Sequence, residues 1–125
     1  MLVAHDVELV VVGGCALVLL GLEVDCGDLD IVPEPSTATL ARLGRALDAI
    51  GATRPADRAI AARPLTSVTS PFGRIDLLVA RAHEEYSALA QGASMCAVED
   101  VPVPVAAVAD VLRLRARFRE PTRVQ

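Results

Sequence analysis

Val11-Val12-Gly13-Gly14-Cys15-Ala16-Leu17-Val18-Leu19-Leu20-Gly21, followed after a short loop by Asp28-Leu29-Asp30-Ile31, is the stretch on which the reading of this chain turns. The β-branched run Val7 to Val12 reads as a strand covered on both faces. Gly13-Gly14 permits a tight turn, and Cys15 to Leu20 then forms a short buried helix ending at Gly21. Asp28 to Val32 reads as a second strand, stopped by Pro33 and Pro35. Strand side chains alternate faces, so Asp28 and Asp30 project to the same side. A third aspartate, Asp76, lies in a later apolar strand, Ile75-Asp76-Leu77-Leu78-Val79. If that strand pairs alongside, its carboxylate comes within about 5 Å of the first two. Three like charges so close either take up protons or hold a cation. An all-oxygen cluster suits Mg²⁺, which binds one or two carboxylates and fills its shell with water and substrate phosphate. The residues therefore imply a site for metal-dependent phosphoryl or nucleotidyl transfer.

Outward from that stretch, Ser36 or Thr37 caps a helix with Leu40, Leu43, Leu47 and Ile50 at helical spacing, and Gly51 stops it. Ala52 to Arg54 reads as a short strand and Asp57 to Ala62 as a turn of helix. Leu65 to Ser70 and Arg74 to Val79 are joined by Ser70-Pro71-Phe72-Gly73, which predicts an antiparallel hairpin. In it Asp76 shares a face with Arg74 and Leu78. His83 to Gln91 reads as a helix ended by Gly92. Cys96 to Val105, with two prolines, reads as an edge strand or extended loop. A last helix runs from about Ala106 to Phe118. At 100° per residue, Val108, Val111 and Leu112 mark its inward stripe, with Arg115 and Arg119 near the middle of that stripe. Those arginines either lay their stems over apolar surface or reach over the acidic cluster to a nucleotide phosphate.

The totals narrow the field. A chain of 125 residues, 53% apolar, is large enough for one domain that buries about two-thirds of its unfolded surface, which excludes disorder. Near-absence of aromatics excludes a base-stacking surface, and a net charge of −4 argues against a general nucleic-acid footprint. All twelve basic residues are arginine, so any phosphate contact falls to arginine, backbone amides or metal. The three cysteines, Cys15, Cys26 and Cys96, form no CxxC pair. They read as reduced thiols of a cytoplasmic protein without a secretory signal. Neither His5 nor His83 has zinc-site spacing. The apolar stretch from Leu9 to Leu22 is shorter than the ~18 residues of a membrane span, and no membrane association is expected.

The segment from Val11 to Ile31 resembles the nucleotidyltransferase superfamily, most closely the small bacterial nucleotidyltransferases and the abortive-infection-type toxins of the same fold. Ser70-Pro71-Phe72-Gly73-Arg74-Ile75-Asp76-Leu77-Leu78 looks like the segment that bears the family's third acid. Val103 to Arg119 is similar to a family C-terminal helix, where a lysine usually stands at the position of Arg115. The resemblance implies an α+β fold with α/β-like character: a central mixed β-sheet flanked by helices, in a single domain spanning the chain. It also implies roles: Asp28, Asp30 and Asp76 as catalytic metal-holding acids, and Gly13, Gly14, Arg115 and Arg119 as nucleotide contacts. Mg²⁺ would be the cofactor and a nucleoside triphosphate (ATP among the candidates) the substrate. The nucleoside monophosphate would pass to a hydroxyl of a protein, an RNA or a small molecule, in a protein with a cognate toxin or antitoxin partner.

Relatives carry an arginine and a threonine or serine just before the aspartate pair, where this chain has Val24, Cys26 and Gly27. That departure favours an alternative, a catalytically silent module of the same fold that docks a partner protein. A dinucleotide-binding domain is excluded by the lack of GxGxxG after the first strand.

Overall fold

The computed structural model describes residues 7–22, 27–79, 83–98 and 101–123, without the side chains of residues 83, 115 and 117–123. Its centre is the apolar run that the sequence suggests. Strand β1 (Leu9–Val12) is buried at every residue, as a strand covered on both faces must be. β1 pairs antiparallel with β2 (Leu29–Pro33), with Val12 opposite Asp30. β2 in turn pairs in parallel with β4 (Gly73–Leu78). With β3 (Leu65–Ser70), β5 (Ser94–Val98) and β6 (Val101–Val105) the sheet is mixed and six-stranded, in the order β3-β4-β2-β1-β6-β5. The helices are α1 (Gly13–Leu19), α2 (Thr37–Ala49), α3 (Asp57–Ala61), α4 (His83–Gly92) and α5 (Val108–Arg123). Together they make an α+β fold, a mixed sheet flanked by helices, as expected.

Local chemistry explains the two helices nearest the sheet centre. In α2 the Ser36 side chain accepts the Thr39 N–H at 3.2 Å, and Leu40, Leu43, Ala46 and Leu47 form its buried stripe. It ends as its sequence predicts: Gly51 takes φ +83°, while the amides of Gly51 and Ala52 return to the carbonyls of Asp48 and Leu47 at 3.1 and 2.9 Å. α1 ends the same way at Gly21, φ +99°. Its start differs from expectation. The helix begins at Gly13 itself, straight after β1, so Gly13-Gly14 forms no separate turn.

Three other expectations are corrected. The proposed strand at Ala52 to Arg54 is a single bridge, Thr53 with Thr69. Cys96 to Val105 is not one edge element: β5 and β6 form an antiparallel hairpin, and β6 lies inside the sheet between β5 and β1. Its prolines are tolerated because alternate residues of a strand turn their amides to opposite neighbours. The Ala106 amide bonds the Val11 carbonyl of β1 at 3.0 Å, so the even-numbered Pro102 and Pro104 face β1. There the ladder holds only Val11 opposite Val105, and no proline amide is needed. Finally, the inward stripe of α5 is carried by Val111 and Leu114, whereas Val108 and Leu112 are exposed. No helix among the described residues is long and apolar enough to cross a membrane.

Candidate active site

The pairing of β2 with β4 sets Asp30 directly opposite Asp76, and the β3–β4 hairpin sets Ser67 opposite Asp76. A two-residue connection, Pro71-Phe72, pins that hairpin register. Asp28, the expected strand start, stands at a bend just before β2, which begins one residue later at Leu29. Its carboxylate still joins the same group: Asp28 Oδ2 lies 2.9 Å from the Arg74 guanidinium. Arg74 also reaches Asp76, with Nε 3.2 Å from Oδ1 and an Nη 3.3 Å from Oδ2. The three aspartates assigned from sequence are thus brought together on one face of the sheet, around one arginine.

Each member is held differently. Asp76 is buried, and its Oδ1 also accepts a hydrogen bond from Ser67 Oγ at 2.6 Å. Asp30 lies against the first residue of α1. A Cβ on Gly13 would sit 2.1 Å from Asp30 Oδ2, and Gly13 has φ +73°. Glycine is required there on both counts, by close approach and by the left-handed backbone. The Asp28 carbonyl lies 3.4 Å from Cys15 Sγ on α1. Cys15 is disulfide-bonded while Cys96 is free, which corrects the expectation of three reduced thiols. The cytoplasmic placement loses that argument, since cytosolic reductants keep such thiols reduced.

The electrostatics follow from crowding. Burial pushes the Asp30 carboxyl up to about 7, helped by a hydrogen bond to Asp76 and by the repulsion of Asp76 and Asp28. The Arg74 charge pulls the other way without winning. A hydrogen bond between two carboxyls requires a proton, and the raised Asp30 is the group that carries it.

The donor chemistry fits a hard divalent cation, since hard carboxylate oxygens converge and Mg²⁺ needs only one or two of them. Among the described residues no group of three His, Cys, Asp or Glu side chains stands ready to hold a metal. The carboxylates close on Arg74 instead. Gly14 follows Gly13 in the first turn of α1, half-buried. Arg115 and Arg119 lie on α5, which packs against α1, but their side chains are outside the described residues. Val24 and Cys26, before the aspartate pair, also fall outside them.

Two participants were not assigned from sequence, Arg74 and Ser67. Arg74 was placed on the face of Asp76, two residues away, and that spacing was the available signal. Ser67 follows from the hairpin register once the turn is fixed at Pro71-Phe72.

No family model matches this chain, and no curated protein matches it. Among solved structures it is similar to a Thermotoga maritima protein described as a "putative nucleotidyltransferase", with a TM-score of 0.64 and 11% identity over 95% of this chain and 78% of that one. At that identity the likeness speaks for the fold. The chain has a nucleotidyltransferase-like fold.

Proposed function

We propose that the protein is a Mg²⁺-dependent nucleotidyltransferase, moving a nucleoside monophosphate from a nucleoside triphosphate to an acceptor hydroxyl. The observation that carries this reading is the pairing of Asp30 with Asp76 beside Asp28, at the glycine start of α1. In the reaction the acceptor oxygen bonds to the α-phosphorus as the bond to the leaving oxygen breaks, and pyrophosphate departs. Asp28 and Asp30 would hold Mg²⁺, which when bound neutralises the oxygens of the triphosphate. Asp76, opposite Asp30 in the sheet, would receive the proton of the acceptor hydroxyl as general base. Should it serve instead as a ligand of a second ion, that proton leaves to water. The amides of Gly13 and Gly14 contact phosphate oxygens, and Arg115 and Arg119 of α5 offset the charge of the leaving pyrophosphate.

The acceptor is a hydroxyl of a protein, an RNA or a small molecule, and a toxin–antitoxin setting would supply a cognate partner. Incubation with α-labelled nucleoside triphosphates, Mg²⁺ and candidate acceptors should give labelled acceptor, lost in Asp28→Asn/Asp30→Asn. Transfer undiminished in that double variant would refute the assignment. One observation favours a second reading, a silent module that docks a protein partner: Arg74 already neutralises part of the cluster. That module would bind no nucleotide in a metal-dependent way, which calorimetry with Mg²⁺ and nucleotide decides.

A further inference from the structure

The cation actually seated among the carboxylates belongs to the chain itself. Arg74 donates to Asp76 Oδ2 and forms ion pairs with Asp76 Oδ1 and Asp28 Oδ2. Those lone pairs are the ones a divalent ion would use. Asp76 Oδ1 carries Ser67 as well, so that oxygen is already engaged twice while the guanidinium is in place. Leaving is feasible: the Arg74 side chain is 54% exposed, and that of Asp28 is 43% exposed. The exposed bridge to Asp28 holds only weakly in water, whereas the bridge to Asp76 ends on a buried carboxylate.

We infer that Arg74 is a built-in counter-cation which a divalent ion must displace, so that it sets the affinity of the carboxylate trio for metal. It is a positioning residue, acting through Asp28 and Asp76 rather than on substrate. In the metal-free protein its charge holds the three acids together and limits their mutual repulsion. When a divalent ion arrives, the guanidinium gives up both carboxylates and swings to solvent. No covalent bond changes in this exchange. The inference rests on the metal-holding role proposed above, and predicts more than it: metal affinity is tuned by a residue that is not a ligand.

The test is binding of Mn²⁺ alone, followed by calorimetry and by the loss of the free-ion paramagnetic resonance signal. The proteins are the full chain, Arg74→Gln, Arg74→Lys and Asp28→Asn/Asp30→Asn. Losing the competing guanidinium should tighten Mn²⁺ binding in Arg74→Gln by about tenfold. Arg74→Lys, which keeps the charge but not the fork, should fall between it and the parent. Thermal melts of each variant establish that the fold persists. Mn²⁺ affinity in Arg74→Gln equal to or weaker than in the parent overturns the inference, as does the absence of binding in both. If Asp28→Asn/Asp30→Asn binds Mn²⁺ as the parent does, the metal-holding role fails on its own account, whatever Arg74 does.

Discussion

Two arginines in this protein each bridge a pair of aspartates, and each cluster lies against a glycine. Arg54 holds Asp48 through two bonds of 3.0 Å and Asp57 through one of 2.8 Å. It thereby ties the end of α2 to the start of α3. A Cβ on Gly44 of α2 would come within 2.6 Å of Asp57 and 2.9 Å of Arg54. Arg74 holds Asp28 and Asp76, beside Asp30 and Gly13. The parts match, but the charge does not. At Arg54 one cation meets two carboxylates, its side chain is only 17% exposed, and its hydrogen bond holds Asp48 below the usual carboxylate range. At Arg74 one exposed cation bridges Asp28 and Asp76 with Asp30 beside them, and burial, helped by the repulsion of those neighbours, pushes Asp30 up to about 7. The first cluster ties two helices together; the second, with one carboxylate more, is the one proposed to take a further cation.

The comparison breaks most readily at the carboxylates. Asp28→Asn/Asp30→Asn should lower Mn²⁺ affinity by about 100-fold or more, the several kcal/mol expected of charged ligands. Asp48→Asn/Asp57→Asn should leave it unchanged, and isothermal titration reads both. Next come the glycines. Gly13→Ala meets both a forbidden backbone and Asp30, and should cost about 2–3 kcal/mol in urea unfolding. Gly44→Ala sits in a helix that favours alanine by about 1 kcal/mol, against side-chain ends that can shift, so its net cost should be about 1 kcal/mol or less. Equal losses at both positions would erase the distinction.

A smaller contrast concerns the arginines themselves. Arg54→Ala leaves two carboxylates and a loop without their anchor and should cost about 1–2 kcal/mol. Arg74→Ala, which loses an exposed bridge to Asp28 and one to the buried Asp76, should cost about 1 kcal/mol, and less in high salt. A last contrast is a pH dependence confined to the site. Asp30 titrates near 7 when folded and near the ordinary aspartate value of 3.8 when unfolded. Between roughly pH 4 and 7 the folded protein therefore retains a proton that the unfolded chain has released. Stability from this group is greatest below about pH 4, falls as pH rises through that window, and is constant above it. Subtracting the Asp30→Asn profile from that of the metal-free parent should isolate this downward slope. A difference that rises with pH would contradict the raised value.

The site was legible where chemistry shows as a local pattern. Asp28, Asp30 and Asp76 stood out because charge is costly in apolar strands, and the period of two set the first pair on one face. What escaped the sequence was pairing and partnership. Arg74 read as a neighbour of Asp76, but its bridge to Asp28 needs β4 beside β2, which no local pattern specifies. Pro102 and Pro104 argued for an edge, since the sequence does not say which neighbour their missing amides would face. On α5, alternative stripes shared Val111, and only packing showed that Leu114 rather than Leu112 points inward. The disulfide at Cys15 lay beyond spacing rules, because bridges are set by distance in the fold.

The most direct measurement is a crystal soaked with Mn²⁺ and a non-hydrolysable nucleoside triphosphate, with the ion located by its anomalous signal. The account predicts one strong peak bonded to Asp28 and Asp30, with triphosphate oxygens completing its shell and Arg74 turned away from Asp28. An ion bound elsewhere, or nucleotide bound with Asp28, Asp30 and Asp76 still closed on Arg74, would contradict it.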